Sequence, residues 1–181
     1  HLTSLAAVIG IGVLVAKLVD YQFSYISSRN IPDSQELASF FGFWFSTFNI
    51  VSLVIQLFLT RHILAKRGVS TGLAALPIGI VFCCIGLLIM PELWIVIVLK
   101  GLDGSLKQSL HKSAVELLAL PIPSDVKNKT KTFIDVVVDS IATGLAGLIL
   151  IFVVRAFDLS PVFITILILF LVVAWVYMIH Q

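Results

Sequence analysis

Lys100, Asp103 and Lys107 stand at i, i+3 and i+7 inside an otherwise apolar stretch. If that stretch is a helix, all three side chains fall on one stripe. Two cations on one stripe away from bulk water form a candidate anion site, with Asp103 tuning or neutralising one of them. The same stripe also suits an internal ion-pair cluster that only fixes helix packing. Other pairs repeat the pattern. Lys17 and Asp20 are three residues apart, and Lys17 either reaches a cavity or snorkels to an interface. Asp135 and Asp139 are four apart, with Lys131 one turn earlier as an ion-pair partner for Asp135. Asn49 and Gln56 are seven apart, placed to hydrogen-bond across helices or to touch a polar solute.

Nothing in the chain points to catalysis or metal binding. There is no GxSxG, HExxH or P-loop run, and the four histidines (His1, His62, His111, His180) are scattered. No cofactor is implied. Cys83 and Cys84 are adjacent, so on a helix they point about 100° apart and read as packing residues rather than a disulfide or zinc pair. Lys and Arg number 12 against 10 Asp and Glu, and the net charge of +2 offers no basic surface for nucleic acid.

The elements that position these residues are dictated by hydropathy. Of 181 residues, 59% are hydrophobic and only 12% charged, and the mean hydropathy is +1.10. An ordinary soluble domain carries about 25% charged residues. The chain reads as an all-α membrane protein with six transmembrane helices at about 2–20, 38–60, 69–90, 92–112, 132–155 and 161–179. All six belong to one transmembrane domain, 1–181, read as part of a longer chain. Breaks are expected at Arg29 to Asp33, Arg61 to Gly68, Met90 to Glu92, Pro121 to Ser124 and Asp158 to Pro161. Past span four, Leu110, Ala114, Leu117, Leu118 and Pro121 keep a helical spacing, which predicts an amphipathic extension. With a crossing point near Glu92, Lys100 is about 12 Å deep and Lys107 about 22 Å.

Lys and Arg fix the orientation. Arg61, Lys66, Arg67, Lys112, Lys127, Lys129 and Lys131 fall on one face, and only Arg29 and Arg155 on the other. Both ends are therefore expected in the cytoplasm and the Asp20–Glu36 region outside. The sequon Asn128-Lys129-Thr130 then lies on the cytoplasmic side and is read as chance. Phe40, Phe41, Phe43, Trp44, Phe45 and Phe48 crowd the outer half of span two, where an aromatic belt is expected. Glycines at 42, 72, 79, 86, 101, 104, 144 and 147 allow close helix approach or bending.

Intramembrane charge is shared unevenly: spans one, four and five carry it, and spans three and six carry none. Ionisable groups at membrane depth face a cavity or a bundle interior, which leaves spans three and six for lipid. This is the distribution expected of one six-helix half of a major facilitator-type bundle, a 3+3 inverted repeat with helices one and four along the solute path.

Several runs carry a more specific likeness. They are Val19-Asp20-Tyr21-Gln22-Phe23, Phe40-Phe41-Gly42 leading to Gln56-Leu57-Phe58-Leu59-Thr60, Leu99-Lys100-Gly101-Leu102-Asp103-Gly104-Ser105-Leu106, Ser109-Leu110-His111-Lys112, Glu116-Leu117-Leu118 with Pro121-Ile122-Pro123, and Lys131-Thr132-Phe133-Ile134-Asp135. In order and spacing they resemble the second half of the bacterial ATP/ADP translocase-like family of nucleotide transporters. The likeness is nearest to its branch often fused to HEAT repeats and cyclic-nucleotide-binding domains. It implies a multi-pass protein of the bacterial inner membrane and a first six-helix half in the same chain or in a partner subunit. It also implies antiport of an anionic solute such as ATP or ADP, with membrane lipid as the surroundings.

On that expectation Lys100, Lys107, Asp103 and Lys17 are substrate-binding candidates, and Asp20, Asp135, Asp139 and Lys131 are gating or ion-pair candidates. Asn49, Gln56 and Gln22 are polar cavity candidates. The alternative is a transporter-derived membrane scaffold or sensor subunit that anchors soluble domains or partner proteins without transport.

Overall fold

The computed structural model describes residues 2–90, 92–113, 134–152 and 161–180. They are helical almost throughout: α1 (Leu2–Asn30), α2 (Ser34–Val54), α3 (Arg61–Ile89), α4 (Leu93–Leu106), α5 (Asp139–Ile151) and α6 (Pro161–His180). Wider π-helical turns extend α2 through Ile55–Thr60, extend α4 through Lys107–His111, and precede α5 at Ile134–Val138. By length and composition, four stretches are apolar enough to cross a membrane: Ala7–Asn30, Ser34–Phe58, Gly72–Ile89 and Val162–Ile179. α4 is short and charged, and Val136–Ile151 is a shorter apolar helix. The expected amphipathic extension, the sequon, Lys131 and Arg155 lie outside the described residues.

Two expected boundaries move. α1 runs ten residues past the anticipated stop at 20, because Tyr21 to Asn30 contains neither Gly nor Pro. It ends where Pro32 disfavours helical backbone at Ile31, with the Asn30 side-chain amide donating to the Ile26 carbonyl at 2.8 Å. Asp33 then caps α2 by accepting from the Gln35 backbone N–H at 3.2 Å. The second correction is the expected break at Arg61 to Gly68, which is helical. Charge decides where a chain meets water, not whether it is helical, and Leu64-Ala65-Lys66-Arg67 is a run of strong helix formers.

Contacts along the helices set their directions. Gly12 meets Trp175 and Gln22 meets Thr165, so α1 and α6 are antiparallel. Gly79 meets Leu102 and Gly86 meets Ile95, so α3 and α4 are antiparallel. Trp44 meets Trp94 and Phe48 meets Gly101, so α2 and α4 run parallel. Leu87 of α3 lines one cleft with the C-terminal end of α1 and the first turns of α6, so α1 and α3 end where α6 begins. Successive helices among these therefore alternate in direction.

The pairing also has an internal regularity. α1 packs on α5 and α6, α4 packs on α2 and α3, α1 meets α4, and α3 meets α6. Exchanging α1, α2 and α3 for α4, α5 and α6 leaves this set unchanged.

The buried core comes from α1, α3, α4 and α6, with Leu18, Phe23, Leu76, Ile80, Cys84, Leu99, Ile168 and Trp175 among its members. Both cysteines sit in it as free thiols, as packing residues do. Trp175 lies on α6 over Gly12, where a Cβ would come within 2.9 Å of its ring. The aromatic run on α2 is partly inward: Phe23 of α1 is ringed by Phe40, Phe41, Phe45 and Phe48 at centroid separations of 5.4 to 6.4 Å. Only Phe43 and Phe45 of that run are strongly exposed among its large side chains.

α2, rather than α3 or α6, is the most exposed of the apolar helices, with Ser52 its one buried residue. α6 instead buries Ile164, Ile168, Val172 and Trp175 against α1 and α3.

Gly101 sets the α2–α4 distance, because a Cβ there would stand 2.8 Å from the Phe48 ring. Gly101→Leu is expected to cost about 1–3 kcal/mol by overpacking, with part of the loss recovered on a Phe48→Ala background. Unfolding in mixed detergent micelles measures both, and additive losses would disprove the contact.

Candidate functional site

α4 presents two different faces. One carries Lys100, Asp103 and Lys107, and the other carries Gly101, Ser105 and Ser109 at i, i+4 and i+8. The small-residue face docks on α2. Ser52 Oγ donates to the Ser105 carbonyl at 3.5 Å, Ser105 Oγ donates to the Phe48 carbonyl at 3.4 Å, and Ser109 Oγ donates back to Ser105 O at 2.5 Å. These serines hold the helix pair, a role expected above for Asn49 and Gln56. The spacing of small residues was the available signal, since Gly and Ser every fourth residue let two helices approach closely.

The charged face turns to α1. Lys100 Nζ donates to Asp20 Oδ1, joining the two helices across eighty positions of sequence. Asp103 Oδ2 is 4.0 Å from the same nitrogen, near enough for attraction and too far for a hydrogen bond. The three side chains differ in access. Lys100 is 14% exposed, Asp20 44% and Asp103 4%. The lysine thus reaches beyond the buried carboxylate to bond the open one.

Short reach explains the choice. Asp103 has one methylene and sits three residues along the same helix, whereas Asp20 projects from the facing helix toward the end of the Lys100 chain. Together Lys100, Lys107, Asp20 and Asp103 carry no net charge. Lys107, at the start of the π-helical turn, is half-buried and makes no ion pair among the described residues.

The structure places the remaining candidates elsewhere. Lys17 is half-buried on α1, three residues from Asp20, with no ion pair among the described residues. Asp139 is exposed in the first turn of α5. Asp135 lies in the π-helical turn before α5, its side chain outside the described set along with Lys131. Asn49 and Gln56 are exposed on α2. Gln22 is buried, but its Nε2 donates to Thr165 Oγ1 at 2.5 Å on the α6 side of α1. Two residues along a helix is a turn of about 200°, so Gln22 points away from Asp20. Among the described residues no group of three or more His, Cys, Asp or Glu could hold a metal ion.

No protein-family model, curated protein or solved structure matches the chain.

The two carboxylates predict unequal mutational costs. Lys100→Met leaves Asp103 buried without its counter-charge and is expected to cost about 3–5 kcal/mol. Asp20→Asn, at a half-open position, should cost about 1 kcal/mol or less. Lys100→Met combined with Asp103→Asn should recover most of the loss. Chemical unfolding of the three variants in nanodiscs checks the order, and a larger loss from Asp20→Asn than from Lys100→Met would reverse the assignment.

Proposed function

We propose that the chain is one six-helix half of a major facilitator-type transporter, moving an anionic, nucleotide-like solute by alternating access. The carrying observation is the Lys100–Asp20 pair, which bridges α1 and α4 at an accessible carboxylate. An anion arriving from the open side competes with Asp20 for the lysine. Phosphate offers more oxygens and more charge than a carboxylate, so the exchange is favourable once the site is dry. Asp103 keeps Lys100 in place from beneath while its outer partner changes. Lys107, about 10 Å further along α4, supplies a second cation for an elongated polyanion.

The packing regularity supports this reading. α1 and α4 are antiparallel, interchangeable members of the pairing scheme, as the central helices of two inverted three-helix units would be. The likeness of the Asp20, Lys100 and Asp135 runs to ATP/ADP translocase-like proteins adds the solute class. Exposed Asn49, Gln56 and Asp139 on α2 and α5 give a second six-helix half, from the same chain or a partner subunit, polar groups to cover. A bacterial inner-membrane setting with both ends cytoplasmic belongs to the same proposal.

One observation favours the second reading, a membrane scaffold or sensor subunit without transport. Lys100 already stands between two carboxylates, as a purely structural cation would.

Counterflow separates the two. The full-length protein in liposomes is loaded with labelled ATP, ADP or inorganic phosphate. Asp20→Asn removes the competing carboxylate and is expected to lower the KM for the anion several-fold, while Lys107→Ala raises it. Exchange should vanish in the folded Lys100→Met/Asp103→Asn variant. Absence of both binding and exchange in folded wild-type protein would overturn the nucleotide reading in favour of the scaffold or a carrier of another solute.

A further inference from the structure

On the opposite side of α1 from Asp20 a cleft of about 300 Å³ opens where α1, α3 and α6 meet. Gln22, Tyr25, Ile26, Arg29 and Asn30 line it from α1, Leu87 from α3, and Val162 and Thr165 from α6. The Gln22–Thr165 hydrogen bond forms part of its lining. Arg29 lies about 10 Å further along α1, near the helix end. Its guanidinium carbon is 5.7 Å from the centre of the Tyr25 ring, which orients the group by cation–π attraction without consuming its charge. Arg29 is exposed and makes no ion pair among the described residues.

These features fit one class of ligand. The mouth is cationic, and a guanidinium presents five N–H donors in a fork that matches a phosphate. Ile26, Leu87 and Val162 make the walls apolar. Beside the cleft, Leu88, Ile89, Val162 and Phe163 are exposed at the same ends of α3 and α6, a surface on which acyl chains can lie. An inorganic anion would gain nothing from those walls, and a neutral lipid nothing from Arg29. The position accounts for the arginine as well, since Arg29 is one of only two cations on the face that the charge distribution assigns to the outside.

We propose that this cleft is a binding site for an anionic phospholipid, its phosphate on Arg29 and its acyl chains along α3 and α6. The glycerol-ester region then sits by Tyr25 and the Gln22–Thr165 pair. The site rests on the membrane placement of α1, α3 and α6 and not on transport, so it stands whether or not the chain carries a solute.

Native mass spectrometry of the full-length protein tests it, after exchange from nanodiscs of phosphatidylcholine with phosphatidylglycerol added. Wild-type protein should retain phosphatidylglycerol over phosphatidylcholine by roughly tenfold, the scale of one charge-assisted hydrogen-bonded contact. Arg29→Gln should abolish the preference, and Leu87→Trp, which fills the cleft, should abolish retention of both lipids. Should Leu87→Trp fail to fold, Arg29→Gln decides alone. An undiminished preference in Arg29→Gln overturns the proposal. So does displacement of the lipid by inorganic phosphate at equal concentration, which would make the site a plain anion site.

Discussion

Asp103 is a carboxylate with almost no access to solvent, on a helix whose other buried residues are Val96, Ile97, Leu99 and Ser105. Isolated ions in such surroundings cost several kcal/mol, and the cost is bearable only beside a counter-charge that cannot leave. Lys100, on the next helical turn, is that counter-charge. Its remaining charge is met by Asp20 of α1, which joins the two helices beside their shared apolar core. A cluster holding two cations and two carboxylates also needs no net countercharge from outside.

That constraint leaves α4 little freedom elsewhere. With one face committed to α1, it meets α2 through Gly101 and Ser105, residues small enough for serine hydroxyls to reach the backbone carbonyls across the pair. α3 covers another side through Gly79 and Gly86. Surrounded in this way, α4 needs little hydrophobic length of its own, and its charged side chains are buried by neighbours rather than by lipid. α2 and α5 are the converse. They fully bury only Ser52, Ala142 and Ala146, and their exposed residues include Asn49, Gln56, Asp139 and Ser140. In the transporter reading a second bundle would cover these outward-facing polar groups.

Local spacing was legible in the chain, and partnership between helices was not. The i, i+3, i+7 rule placed Lys100, Asp103 and Lys107 on one stripe of α4, and the breaks expected around Pro32 and at Met90 and Glu92 fall at real helix limits. Nothing within either segment says that Lys100 prefers Asp20, eighty residues away, to Asp103, three residues away. That preference depends on how two helices face each other. Gln22 belongs to a different cleft from Asp20 for a related reason: it follows Asp20 so closely that helical geometry turns it to the other side of α1. Asn49 and Gln56 do share a face, but the small residues of α4 settle which face of α2 is buried. The break expected at Arg61 to Gly68 came from treating charge as punctuation, when only backbone chemistry stops a helix.

α1 therefore serves two sites with opposite faces. Asp20 points to α4 and the ion cluster, while Gln22, Tyr25 and Arg29 point to the cleft shared with α3 and α6. Between them the helix has neither Gly nor Pro, so no soft point separates the two regions. At its other end Gly12 lies against Trp175 with no room for sliding contact to loosen, since even a methyl group would collide with the indole. Asp20, Gln22 and Arg29 thus belong to one uninterrupted helix, and in the lipid proposal a ligand in the cleft would bear on the ion pair through that single packed element.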